Sequence, residues 1–358
     1  MQYDTPVTPD QVNQSLADDP NISDATRTQI EQILGTVPGG GSTQVNVGLF
    51  DGTTVQTPPG QPVELLVIAP PPPPVPGQII NITIPTEVLS SASAYVFQTS
   101  ENIQVTFNTV ERVIASGSGS DRVTVNGDKN TTLDGAAGND TLVTSGGNDS
   151  VTGGGGNDSI STGAGNDTIV SGEGADTVDG GAGLDVITMS TGGAVSDYTY
   201  AVSNGQLVVT SKADSNVSVT AKNAEIVSFG EYENVVVGGT QEVATTLRMY
   251  EGLLDRSADL TGAKAWINGV NNGLAVEQAT QGFLDSAEFQ ARGITTNEAF
   301  VDSLYMLALN REAEAQGRAG WLDGLENGLS WVDVAIGIVG SQEANEVSDS
   351  TFLIPGQV

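Results

Sequence analysis

The sequence predicts a multidomain β + α chain: a parallel β-roll with flanking β-rich caps, followed by an all-α repeat domain. Three observations predict it. Between residues 135 and 188 an aspartate returns every nine residues, with a glycine two places before it and an aliphatic residue two places after. Short runs rich in Val, Ile and Thr flank that zone on both sides. Beyond residue 242 the composition turns to Ala, Leu and Glu with helical periodicity, and two stretches match at an offset of 55 residues.

Residues 1–42 read as an N-terminal helical segment. Thr8 and Ser23 are placed as N-caps, Ile30, Ile33 and Leu34 share one helix face, and Gly35 is placed as the stop. Residues 43–115 read as a β-rich N-terminal cap, with strands in "VELLVIA", "QIINITI" and "IQVTFNTV". The run "PPPPPVP" at 70–76 interrupts them as a stiff surface loop.

The roll itself spans 116–188. Six consecutive nonapeptides run without a gap from Gly135 to Thr188. Aspartate holds the sixth place (Asp140, Asp149, Asp158, Asp167, Asp176, Asp185) and glycine the fourth (Gly138, Gly147, Gly156, Gly165, Gly174, Gly183). Leu142, Val151, Ile160, Ile169, Val178 and Ile187 hold the eighth. Upstream, "SGSGSDRVT" fits the same pattern and adds Asp121, after which the register slips by one residue at Val125.

Glycine permits the positive φ of a tight turn and leaves backbone carbonyls accessible. The aspartate sets a carboxylate beside them, and such an all-oxygen shell is what Ca²⁺ prefers. The aliphatic residue lies in a short strand facing inward. One nonapeptide is then half a coil, and turns 18 residues apart stack about 4.8 Å from each other. Asp140, Asp158 and Asp176 share one edge; Asp149, Asp167 and Asp185 share the other. Two calcium ions per edge follow, with Asp121 as the candidate ligand for one more.

These motifs resemble the repeats-in-toxin (RTX) family, whose glycine-rich nonapeptide β-rolls bind calcium. The resemblance implies type I secretion by a Gram-negative bacterium and an extracellular, cell-surface location. Residues 189–241, as in "DYTYAVSNGQLVVTS" with a turn at Asn204-Gly205, read as the C-terminal β cap. The duplicated helical domain, 242–347, resembles a domain of unknown function that accompanies such secreted proteins. Its copies share Tyr250/Tyr305, Arg256/Arg311, Gly262/Gly317, Trp266/Trp321, Ser286/Ser341 and Glu288/Glu343. Each copy is expected to hold three helices, with the tryptophans as core anchors and each Arg paired with its Glu. Asp255, Ser257 and Asp259 have the start of an EF-hand spacing, but Leu260 and Trp266 stand where that loop needs Gly and Glu. The tail, 348–358, is the expected place of a secretion signal.

Composition narrows the function classes. With 44 acidic and 12 basic side chains the net charge is −32, so nucleic acid and anionic membranes are poor partners and divalent cations good ones. The absence of Cys and His removes thiolate and imidazole metal sites and the Ser-His and Cys-His nucleophiles. No apolar stretch approaches the roughly 18 residues of a membrane span, so no membrane insertion is expected, and the first residues show no signal peptide. The sequence therefore predicts no enzyme, but a secreted calcium-binding structural protein. Ca²⁺ would fold its roll and support self-association in a surface layer, filament, matrix or adhesin. A glycan- or cell-surface-binding module is the alternative, and an accessory part of a secreted enzyme a third reading.

Overall fold

A computed structural model describes residues 7–19, 22–34, 44–58, 60–89, 91–108, 112–189, 193–230, 233–348 and 351–353. The chain divides into two compact units, residues 1–185 with 214–221, and residues 186–213 with 222–358.

The first unit is a solenoid of two parallel sheets. Sheet I takes Val47–Phe50, Leu65–Ile68, Ala94–Phe97, Arg112–Ala115, Thr131–Asp134, Ser150–Thr152 and Thr168–Val170 in that order, with Val55–Gln56 antiparallel at its edge. Sheet II takes Ile80–Ile82, Ile103–Asn108, Arg122–Asn126, Thr141–Val143, Ser159–Ser161 and Ala175–Asp179, and Ser218–Lys222 lies next. The strands of the 43–115 region belong to the same two sheets. They stack in parallel register on those of the nonapeptides, as in Arg112 against Thr131 and Gln104 against Arg122.

Between the sheets the eighth-place residues Leu142, Val151, Ile160, Ile169 and Val178 are all buried. The upstream coils are filled by Tyr95, Phe97 and Phe107, packed edge to face. This difference explains why only part of the solenoid keeps a nine-residue period. Aromatic coils are held by apolar burial, so their turns need not repeat.

The N-terminal helices belong to this unit. Pro9–Ala17 starts at Thr8, whose hydroxyl accepts from the Gln11 N–H while Gln11 reaches back to the Thr8 N–H at 2.9 Å. Asp24–Ile33 starts at Ser23 in the same way. Gly35, the expected stop, lies outside the described residues. Val12, Leu16 and Ile30 cluster with Leu65, Val67, Ala94, Val96, Val113 and Ala115, so the helices cover the outer face of sheet I. Strands buried on both faces must be apolar throughout, as in Leu65–Ile68. Ile103–Asn108 of sheet II alternates buried and exposed because its outer face is bare.

In the second unit Val186–Thr188 pairs with Ile226–Ser228, which pairs antiparallel with Asn234–Gly238. Thr351–Leu353, inside the expected signal region, adds in parallel to Asn234–Gly238. Tyr198–Ser203 and Gln206–Ser211 form a hairpin turning at Asn204 (φ 53°) and Gly205 (φ 74°).

The helical repeat holds four helices per copy, one more than the sequence reading placed. Ser286 and Ser341 do not follow the last helix; each caps a further one, Ala287–Ala291 and Gln342–Val347. The remaining positions shared by the two copies make the same contacts twice. Arg256 pairs with Glu288 and lies over the Tyr250 ring, and Arg311 pairs with Glu343 over Tyr305. Trp266 packs on Gly282 and Trp321 on Gly337. Asp259, from the discarded loop reading, caps Leu260–Asn271 instead.

Candidate metal centre

Each nonapeptide turn is set by its fourth-place glycine. Gly138, Gly147, Gly156, Gly165, Gly174 and Gly183 have φ between 98° and 142°, a region closed to other residues on steric grounds. The stacking is as demanding as the torsion. A Cβ on Gly156 would lie 2.0 Å from the Gly138 carbonyl oxygen, and one on Gly165 1.8 Å from that of Gly147. The third place is open: nothing lies within 4 Å of a Cβ on Gly155, and Ala137, Ala164 and Glu173 occupy that place in other repeats.

The sixth-place aspartates stack into the two expected columns. On one edge the Asp140 N–H donates to Asp158 Oδ1 at 2.8 Å, and the Asp158 N–H to Asp176 Oδ1 at 2.9 Å. On the other, Thr131, Asp149 and Asp167 donate to Asp149, Asp167 and Asp185 in turn, at 2.7, 2.7 and 2.9 Å. Each bond spans 18 residues, one coil.

The second carboxylate oxygen has no such bond. Oδ2 of Asp140, Asp149, Asp158, Asp167 and Asp176 is buried and accepts no hydrogen bond. Five buried acceptors of this kind in one segment are costly, and no Lys or Arg between Lys129 and Lys212 can neutralise them. Desolvation accordingly raises these carboxyls: Asp140 to about 8, Asp176 to about 7 and Asp149 to about 6, with Asp158 and Asp167 also raised. Neighbouring carboxylates add to the rise at Asp140, Asp149 and Asp176; it is opposed by the Thr144 hydroxyl at Asp149, by the Thr162 hydroxyl at Asp167, and by backbone N–H donors at all five.

The donor set fits a hard cation. Asp140 Oδ2 and the Gly153 carbonyl oxygen lie 2.6 and 2.4 Å from the point where a Gly135 Cβ would stand. Asp158 Oδ2 and the Ser171 carbonyl oxygen lie 2.5 and 2.1 Å from the equivalent point at Gly153. A carboxylate oxygen and a backbone carbonyl thus converge where glycine leaves room, matching the oxygen chemistry of Ca²⁺. Among the described residues no group of three or more acidic side chains gathers in one place, so carbonyls must complete any shell.

Asp121 departs from this pattern. Its Oδ1 accepts from the Ile103 N–H at 2.9 Å and its Oδ2 from the Gly117 N–H at 3.1 Å. The one-residue slip appears here as a bond from the Asp121 N–H to Asp140 Oδ1 spanning 19 residues.

A second ladder runs beside the aspartates, which the sequence reading did not place. Asn139 Oδ1 accepts from the Asn157 N–H at 2.7 Å, Asn148 from Asn166 at 2.8 Å, Asn157 from Ala175 at 2.8 Å, and Asn166 from Leu184 at 2.9 Å. Its signal was available, since asparagine holds the fifth place in four successive repeats.

Comparison with known families divides the chain as the geometry does. Residues 125–160 and 152–187 match the RTX calcium-binding nonapeptide repeat (4 copies). Residues 245–293 and 280–347 match a domain of unknown function, DUF4214, once for each copy of the helical repeat. Neither the curated proteins nor the solved structures include a match to this chain. No helix among the described residues is long and apolar enough to cross a membrane.

Proposed function

We propose that this chain is a secreted structural protein whose roll is ordered by Ca²⁺ outside the cell and there supports assembly into a surface layer, filament, matrix or adhesin. The observation that carries the reading is the set of five buried aspartate oxygens without a donor. Ca²⁺ bound by Asp140, Asp149, Asp158, Asp167, Asp176 and Asp185, with carbonyls of the glycine turns, supplies the missing positive charge. Asp121 ends the column instead, because backbone N–H groups already fill both its oxygens.

Extracellular calcium modules bind at about 0.1–1 mM, well above cytosolic calcium. The roll would then stay open before export and close after it, which suits the type I route that RTX repeats typically follow. The absence of Cys and His in the sequence supports a structural rather than catalytic role. The glycan-reading alternative draws less support, since Trp266 is half-buried and stacks on Phe283 at 5.0 Å, and Trp321 is half-buried against Gly337.

Sedimentation velocity in calcium and in chelator tests the proposal. The expected result is an expanded monomer in chelator, and a compact species with larger assemblies in calcium. Calcium-independent sedimentation as one compact monomer would overturn it.

A further inference from the structure

The middle coils of the two aspartate columns are not chemically equal, and the difference lies at the first place of the nonapeptide; in the last coil Ser171 precedes Asp176 and Gly180 precedes Asp185, so the contrast is confined to Asp140 and Asp158 against Asp149 and Asp167. Ahead of Asp140 and Asp158 that place is Gly135 and Gly153; ahead of Asp149 and Asp167 it is Thr144 and Thr162. The threonine hydroxyls are engaged twice over, by the carboxylate of their own repeat, Asp149 or Asp167, and by a backbone carbonyl of the next coil. Thr144 Oγ1 donates to the Thr162 carbonyl at 2.9 Å, and Thr162 Oγ1 to the Gly180 carbonyl at 2.8 Å. Ser116, ahead of Asp121, does the same to the Gly135 carbonyl at 2.6 Å.

At Gly135 and Gly153 there is no hydroxyl. The point it would grow from is instead faced by a carboxylate oxygen and the carbonyl of the next coil, within 2.6 Å. In these coils the first-place residue thus decides whether that carbonyl is left to a ligand or engaged by a side chain.

We propose that Thr144 and Thr162 act as plugs that split the calcium sites into two classes. The cradles of Asp140 and Asp158 form a tight class; Asp149 and Asp167 form a weaker one, because a hydroxyl hydrogen occupies the carbonyl lone pair and the space beside it. This rests on the calcium reading above and adds an order of filling to it. The edge of Asp140 and Asp158 closes first as calcium rises, and the opposite edge follows.

Calorimetric titration of calcium into the metal-free full-length chain tests this, with circular dichroism at saturation to establish that each variant is folded. The wild type is expected to bind in two steps, about two ions and then the rest, separated by about tenfold or more in affinity. The T144G/T162G variant is expected to lose the separation by strengthening the second step, and T144S/T162S, which keeps the hydroxyls, to retain it. A single affinity class in the wild type, or an unchanged second step in T144G/T162G, overturns the inference while leaving the calcium reading intact. No heat of binding and no spectral change would overturn both.

Discussion

At the residue scale, protons and calcium compete for the same buried carboxylates. Burial raises the pKa of Asp140, Asp149 and Asp176 to about 8, 6 and 7 in the metal-free fold, above the usual carboxylate range. A carboxyl whose folded pKa is raised holds its proton more tightly when folded. It therefore stabilises the metal-free roll below about pH 4, and that contribution is lost as pH rises through the folded values. Metal-free protein should accordingly show more β signal in circular dichroism at pH 4 than at pH 8.5. Its calcium midpoint should fall as pH rises from 6 to 8, with protons released on binding. Substitution separates the two kinds of aspartate. Asp158→Asn keeps an acceptor for the Asp140 N–H but removes a charge, and should raise the calcium midpoint about tenfold. Asp121→Asn should leave calcium stoichiometry unchanged while costing about 1–3 kcal/mol through a lost N–H acceptor, as read by denaturant unfolding in calcium.

At the element scale, the glycine turns and the repeated helices give sharper tests than composition does. Gly165→Ala should destabilise the calcium-bound roll by at least about 2 kcal/mol, because it meets both a forbidden φ and the Gly147 carbonyl. Gly155→Ala should cost no more than about 0.5 kcal/mol, its Cβ facing open space. The helical repeat offers a matching pair. A Cβ on Gly262 would stand 2.0 Å from the Tyr250 hydroxyl, whereas nothing lies within 4 Å of one on Gly320. Thermal melting should show Gly262→Ala lowering the helical transition and Gly320→Ala raising stability by about 0.5–1 kcal/mol.

Legibility in the sequence follows the same physics. The aspartate columns and the pairing of Arg256 with Glu288 could be read because a strict period or a duplication fixes them. The upstream coils could not. Tyr95, Phe97 and Phe107 fill them without repeating, so the sequence placed β strands beside the roll without showing that they continue its two sheets. Ser286 and Ser341 were visible as repeated positions, but five- and six-residue helices carry too little periodicity to announce themselves.

At the scale of the whole molecule, two kinds of cohesion are joined in one chain of net charge −32. The aromatic coils under the N-terminal helices and the DUF4214 repeat are held by apolar burial and ion pairs. The nonapeptide coils bury one aliphatic residue per nine and five unsatisfied carboxylate oxygens, a cost set against their backbone, aspartate and asparagine ladders at neutral pH. Calcium should thus order one segment of a chain whose remainder is already folded, and helical signal should persist in chelator while the roll opens. The most direct measurement is a far-ultraviolet circular dichroism titration of the metal-free chain with calcium at pH 7.5. A cooperative gain of β signal centred at about 0.1–1 mM, over an unchanged helical background, is the result predicted. A spectrum identical in chelator and in saturating calcium would contradict the claim that the metal holds the roll together.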